Sequence, residues 1–333
     1  MATSDVLKST SQEKKTKPDL QIRQALDTDI PAIIEVLKAS LGESKLKKSE
    51  EIWRYKHVDN PFGKSLVLVA EENDEIIGVR AFMRWKWQSG DQVYDAFRAV
   101  DTATHPDHQG KGIFKKLTLR AIELGVSQGD HFIFNTPNDQ SLPGYLKMGW
   151  KKVGKLRVRL TPVNPLGWSA IGDSGYMIFR SCDTSDTQEL CDKHNQTNSK
   201  RNKLFTPKSL EYLEWRYQDN PLQDYDVRIG HGYYLAGYVK DHGRFREFRV
   251  VEHLYRGSKA LKELKSHVLS LAREHRVHVI SMGKLGKSTS LLRVAGQFGP
   301  MFTFKNMNLN PEDAKEYSAL DNWSYSLGDL ELF

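Results

Sequence analysis

Val100–Asp101–Thr102–Ala103–Thr104–His105–Pro106–Asp107–His108–Gln109–Gly110–Lys111–Gly112–Ile113–Phe114 is the stretch that decides the fold. Gln92 to Thr104 has strand character, and Pro106 stops it because proline cannot extend a central ladder. Beyond the glycines, Ile113, Leu117 and Ala121 fall on one helical face, with Phe114 and Leu124 alongside. A strand, a glycine-bearing turn and a helix start make an anion site, since free backbone N–H groups and the positive end of the helix dipole point into one spot. Gly110 and Gly112 allow close approach of backbone to a phosphate, and Lys111 adds charge. Alone, two glycines before a helix are equally a tight turn.

The residues downstream of that helix sharpen the reading. His131–Phe132–Ile133–Phe134 is a short buried strand, and it leads to Asn138, Ser141, Tyr145, Lys147, Gly149 and Trp150. Asp139 or Ser141 can cap a helix that tolerates Pro143 in its first turn. Asn138 and Tyr145 are about two helical turns apart, so both can border one groove.

These residues resemble the GCN5-related N-acetyltransferases. That family's acyl-CoA loop, Arg/Gln-x-x-Gly-x-Gly/Ala, is matched by Asp107-x-x-Gly110-x-Gly112. Its later motif, Asn-x-x-Ala/Ser-x-x-x-Tyr-x-Lys-x-Gly-Phe, is matched by Asn138, Ser141, Tyr145, Lys147, Gly149 and Trp150. The likeness covers roughly Leu20 to Lys155 and departs at Asp107, which must face away from a pyrophosphate, and at Phe114, where a small residue is common. It implies a mixed α/β sheet whose central strands splay at the loop, with acetyl-CoA or another acyl-CoA as co-substrate and no metal. The implied cofactor-binding residues are Thr102, Ala103, Thr104, Gln109, Gly110, Lys111, Gly112, Ile113, Phe114, Asn138, Ser141 and Tyr145. Tyr145 is the implied general acid for the leaving sulfur. Asp101 is the candidate base, against a plain reading as a solvated or paired strand carboxylate, and His105 and His108 read as loop residues.

The chain also echoes itself. Trp53–Arg54–Tyr55 precedes Asp59–Asn60–Pro61, and Trp215–Arg216–Tyr217 precedes Asp219–Asn220–Pro221. Each copy follows a strand-then-helix pattern and precedes two strands, which predicts an internal duplication. The triplets themselves read as core packing beside a turn. Pro162, Pro165, Gly167, Gly172 and Gly175 crowd into Thr161 to Gly175, a linker-like composition. The expected organisation is a tail at 1–18, an acyltransferase domain at 19–160, a linker at 161–175 and a degenerate second copy at 176–333. The second copy offers Val251 to Lys259 with no Gly-x-Gly, so loss of cofactor binding is expected there, with a role in the acceptor pocket or domain interface. Gly283–Lys284–Leu285–Gly286–Lys287–Ser288 lacks P-loop spacing. Trp323 to Phe333 reads as a packed tail that could dock near the acceptor.

Bulk properties are compatible. In 333 residues, 39% are hydrophobic and 27% charged, an ordinary globular composition. The net charge of +7 suits an anionic cofactor as well as a nucleic acid, but no motif supports nucleic-acid binding. Lys262, Glu263 and Lys265 illustrate the mixed, solvated charge. Cys182 and Cys191 show no metal-ligand spacing and read as reduced thiols in a cytoplasmic protein. Met1 to Pro18 has no apolar run, and no segment reaches membrane-spanning length. The expectation is therefore an N-acyltransferase acting on a small-molecule amine such as an amino sugar or amino acid, as monomer or homodimer, without nucleic acid. A CoA-binding module without turnover is the competing class.

Overall fold

The computed structural model describes residues 20–42, 47–168, 175–283 and 294–330. The expected tail at 1–18, part of the linker, and all of the Gly283–Ser288 segment after Gly283 lie outside them.

Local chemistry sets the first elements. Strand β1 (Leu20–Gln24) leads into α1 (Ile30–Leu41), which takes Pro31 in its first turn and ends at Gly42, φ 68°. Ser49 caps α2 (Glu50–His57), its hydroxyl accepting from the Ile52 N–H at 3.3 Å. An antiparallel meander comes next: β2 (Leu66–Glu72), β3 (Glu75–Ser89) and β4 (Gln92–Thr104). After it stand α3 (Ile113–Ser127), β5 (Phe132–Asn135), α4 (Leu142–Lys147), β6 (Lys151–Lys155) and β7 (Val158–Pro162).

The second half repeats the order with β8 (Ile178–Arg180), α5 (Thr184–Ser199), α6 (Leu210–Leu213), β9 (Asp226–Gly230), β10 (Tyr233–Asp241), β11 (Arg246–Tyr255), α7 (Gly257–Glu274) and β12 (Val279–Met282). It closes with β13 (Val294–Gly296), β14 (Met301–Asn306), α8 (Pro311–Glu316) and α9 (Leu327–Leu330).

Two seven-stranded mixed sheets result, ordered β1-β2-β3-β4-β5-β14-β6 and β8-β9-β10-β11-β12-β7-β13. Position by position the orders agree, so the chain is a mixed α/β pair of like-built sheets. One position is exchanged. β7 runs antiparallel between β12 and β13, with Val279 opposite Pro162 and Val294 opposite Leu160. Reciprocally, β14 lies between β5 and β6, with Thr303 opposite both Asn135 and Lys152. The boundary read at 161–175 thus divides the chain but not the sheets. Each half lends the other a strand, and a cut there leaves open ladder edges in both.

The repeated triplets meet at the centre of this arrangement. Tyr55 Oη donates to the Trp215 carbonyl at 2.6 Å, Trp215 Nε1 donates to the Tyr55 carbonyl at 2.9 Å, and the two rings stack at 5.2 Å. Asn60 and Asn220 each turn the chain by accepting from the N–H two residues on, at 2.9 Å. One apolar core, including Trp85, Trp87, Tyr212, Trp215 and Trp323, runs across both sheets. Among the described residues no helix is long and apolar enough to cross a membrane.

The described end of the chain is buried. Arg98 donates to the Asp329 and Leu330 carbonyls at 3.1 and 2.6 Å, and Arg216 donates to that of Gly328 at 3.3 Å. Lys208 Nζ stands 2.7 Å from both Glu252 and Asp329 in the solvent-free interior.

Candidate active site and cofactor groove

β4 pairs with β5 at only three positions, Ala96–Arg98 against Phe132–Phe134. Past Arg98 the two strands part, so β4 from Ala99 onward shows an unpaired backbone edge to the gap. On the other side, β4 still pairs with β3, but the register slips: Arg80 lies opposite Thr102 and Ala81 opposite Val100. Asp101 is the bulged residue, at φ 31°. A non-glycine residue held there is a local strain of the kind that bulges beside active sites carry.

The gap opens into a groove of about 890 Å³. Its walls are Ala99 to Thr104, the turn from His108 to Gly112, the start of α3, the segment Asn135 to Asn138, and Ser141, Gly144 and Tyr145. Gly110 and Gly112 have φ 78° and 73°, with open space where a Cβ would stand, so the backbone and not a neighbour demands glycine. Gly112 caps α3, and the first paired amide, Lys116, returns to the Gly112 carbonyl at 3.1 Å. The amides before it are the open donors of a helix start.

Every expected cofactor-binding residue lines this groove except Lys111. Its ammonium is drawn aside, 3.6 Å from Glu72 and 3.2 Å from His108 Nδ1. Glu72 sits at the end of β2, a carboxylate that the motif gave no sign of. Asp107 is 83% exposed and faces away from the groove. Asn138 serves the backbone, accepting from the Ser141 N–H and Oγ at 2.9 Å each, while still bordering the groove. Phe114 does not disturb α3; its ring meets Tyr145 edge-on at 5.8 Å and lies against Gly144.

Tyr145 is nearly buried, wedged by Phe114 and by Trp150 at 5.0 Å. Its hydroxyl has no hydrogen-bond partner among the described residues, so it is available to a ligand in the groove.

Asp101 has a different part from the one its position suggested. Lys56 Nζ is in direct contact with Oδ2, and His57 Nε2 lies 2.9 Å away, with His57 Nδ1 backed by Ser65 Oγ at 2.8 Å. Burial acts to raise the Asp101 pKa, but the Lys56 charge and the His57 hydrogen bond outweigh it and hold the carboxyl far below the usual range. A carboxylate so held is a poor proton acceptor near neutrality. His57 is pushed down by burial, against the pull of Asp101. The motif did not reveal Lys56 and His57. One signal lay in the repeat itself: Lys56–His57 follow the first Trp-Arg-Tyr where Gln218–Asp219 follow the second.

Asp101 also borders a second, small cavity of about 40 Å³ lined by Ile34, Leu37, Ile52, Trp53, Lys56 and, from the second half, Leu222. The tail approaches from the other end, with Thr136 Oγ1 on the groove wall donating to the Leu330 carbonyl at 3.2 Å.

In the second half β11 and β12 pair at Glu247–Val250 and then part in the same way. There is no Gly-x-Gly turn: a single glycine, Gly257 at φ 83°, opens α7 after Arg256, whose guanidinium contacts Glu189. The chain's own tail lines the space beside β11, through Ser324, Tyr325, Ser326 and Asp329.

A splayed sheet edge, an open helix start and a tyrosine at the gap come together in one site. Residues 21–153 match the Acetyltransferase (GNAT) domain family. Two curated relatives are similar. The L-amino acid N-acyltransferase MnaT of Escherichia coli K12 is 33% identical over 90 residues, 25% of this chain and 49% of that protein. The L-methionine sulfoximine/L-methionine sulfone acetyltransferase of Salmonella typhimurium LT2 is 37% identical over 68 residues, 20% of this chain and 36% of that one. The chain thus spans about half or less of the curated relatives it matches.

Solved structures extend the fold across both halves. A conserved protein of unknown function from Enterococcus faecalis V583 superposes with TM-score 0.64 at 11% identity, over 87% of this chain and 73% of that one. A GCN5-related N-acetyltransferase from Anabaena variabilis gives 0.60 at 12% identity, with the same coverages. At such identities the likeness is one of fold.

Proposed function

We propose that the protein transfers an acetyl or other short acyl group from acyl-CoA to the primary amine of a small molecule. The carrying observation is the groove: an unpaired β4 edge, a helix start with open amides, and an unengaged Tyr145 hydroxyl surround one space. The amides preceding Lys116 receive the pyrophosphate, and the edge at Thr102 to Thr104 receives the pantetheine amides. Tyr145 gives its proton to the departing sulfur. Asp101, pinned by Lys56 and His57, orients the mouth of the small cavity and takes no proton itself. A water in the gap is left as the carrier of the amine's proton.

The small cavity, about 40 Å³, adjoins the acceptor side; Ile34, Leu37, Ile52, Trp53 and Leu222 line it together with Lys47, Lys48 and Lys56, which favours an amine that carries both an apolar group and a carboxylate. The matched relatives act on amino acids or amino-acid analogues, which makes an amino acid the first acceptor to try. Such an enzyme draws on a cytoplasmic CoA pool and needs no metal. Acetyl-CoA with a panel of amino acids and amino sugars, read as thiol release, tests the reading; no turnover with any amine leaves the CoA-binding module, which the engaged Asp101 favours.

The second half is proposed to have lost its cofactor. Calorimetric titration with CoA is expected to give one site per chain, because the second half lacks the Gly-x-Gly turn and the tail lines the space beside β11. Two sites per chain remove this part of the reading.

A further inference from the structure

Beneath the groove lies a buried cation. Arg80, on β3, is wholly excluded from solvent, and none of its three guanidinium nitrogens has a hydrogen-bond partner among the described residues. It is enclosed by aromatic faces, with Cζ 4.7 Å from the Phe82 ring centroid, 5.3 Å from Tyr145 and 5.5 Å from Phe114.

Its neighbours show the ordinary solutions. Arg84, further along β3, meets the Asp130 carboxylate, and Arg98 donates to two carbonyls of α9. Arg80 has neither. A buried amine can shed its proton, but a guanidinium cannot. Ring faces return only part of the lost hydration. Sequence and packing therefore hold an expensive cation at one place, and two of the three rings enclosing it, Phe114 and Tyr145, are groove wall.

Besides the 3′-phosphate of its ribose, the ligand read for this groove carries negative charge in two places. The pyrophosphate is permanent and has the open amides of α3 and its dipole. The sulfur becomes negative only as the thioester breaks, and Tyr145 Oη is the one donor assigned to it. We propose that Arg80 is the buried counter-charge for that sulfur, stabilising the thiolate as it forms; the proposal rests on the acyl-CoA reading above. In the step, the amine nitrogen bonds to the thioester carbonyl carbon and the C–S bond breaks with its electron pair going to sulfur. The sulfur then takes the Tyr145 proton, while the nitrogen gives one proton to water and the phenolate is reprotonated from solvent. Arg80 touches none of these atoms. It acts through its field across the Tyr145 ring from a position excluded from solvent, where a cation counts for more than in solution.

The test needs no acceptor. CoA and desulfo-CoA share every phosphate and differ only at the sulfur. The thiol of free CoA ionises only in the alkaline range. Wild type is expected to bind CoA about ten-fold tighter than desulfo-CoA at pH 9, with the preference shrinking toward pH 7. Arg80→Met should bind the two ligands equally at both pH values, and its ligand-free melting midpoint should be no lower than wild type, since an unpaired buried charge has gone. Arg80→Lys should lose the preference at pH 9 as well, because a buried amine sheds the proton that a guanidinium keeps. The proposal is overturned if wild type shows no preference at pH 9, if Arg80→Met keeps it, or if Arg80→Met weakens both ligands alike, which assigns the charge to the phosphates. A lower ligand-free midpoint in Arg80→Met also overturns it, by making Arg80 part of the fold. Wild type that binds neither ligand removes the acyl-CoA reading itself, whereas equal binding of both removes only this inference.

Discussion

Tyr145→Phe is expected to lower kcat by about 10²- to 10⁴-fold, the range over which a positioned proton donor acts. The dissociation constant for CoA should change little. The substitution removes one oxygen and keeps the ring, so contacts with Phe114 at 5.8 Å and Trp150 at 5.0 Å survive, as does the face turned to Arg80. Since Tyr145 Oη bonds to no described residue, its loss orphans no protein group, and folding stability should be close to wild type. The separation of kcat from binding is the diagnostic: an interaction made only as the sulfur leaves costs rate and not affinity. Thiol release with the best amine of the panel, paired with a CoA titration, measures both. Full turnover in Tyr145→Phe takes this residue out of the mechanism.

The sequence made the local half of this site readable. The glycine turn, the helix face from Ile113 and the placing of Tyr145 are all set by residues close in sequence, and chain stiffness leaves few alternatives. What it did not show depends on pairings between distant segments. β7 and β14 are short strands, and nothing in Val158–Pro162 or Met301–Asn306 states which of two like-built sheets each should join. The duplication was plain in the Trp-Arg-Tyr triplets, yet their mutual contact through Tyr55 and Trp215 is a product of the assembled pair. Asp101 is the instructive case. Its position beside the loop suits a base, but its proton affinity is set by Lys56 and His57, some 45 positions earlier, brought over by α2. Arg80 was silent for a related reason: an arginine in a strand looks exposed until β3 is found in mid-sheet under α3 and α4.

Lys208→Met is expected to destabilise the protein by about 3–5 kcal/mol, as removal of one partner from a buried ion pair does. The ammonium is 2.7 Å from both Glu252 and Asp329, and all three side chains are at most 2% exposed. Burial works against the charged amine, but the two carboxylates prevail and hold Lys208 above its usual range. In Lys208→Met both carboxylates stay in the interior without that counter-charge, and their remaining donors include Tyr212, Tyr217, Ser326 and the His253 N–H. The pH dependence identifies the cause. In wild type, burial acts to raise Glu252, but Lys208 overrides it and the folded pKa is lowered. The pair's contribution is therefore present above the unfolded carboxylate value near 4.3 and fades as pH falls below it. In the variant burial acts unopposed and the folded pKa rises, so acid relieves the strain. The stability gap between the two proteins should narrow as pH drops from 7 toward 4.5, measured by urea unfolding at each pH. A gap constant across that range would mean lost packing and not lost charge. Because Asp329 anchors α9, and the Leu330 carbonyl accepts from Thr136 on the groove wall, the same variant should also weaken CoA binding from a site outside the groove.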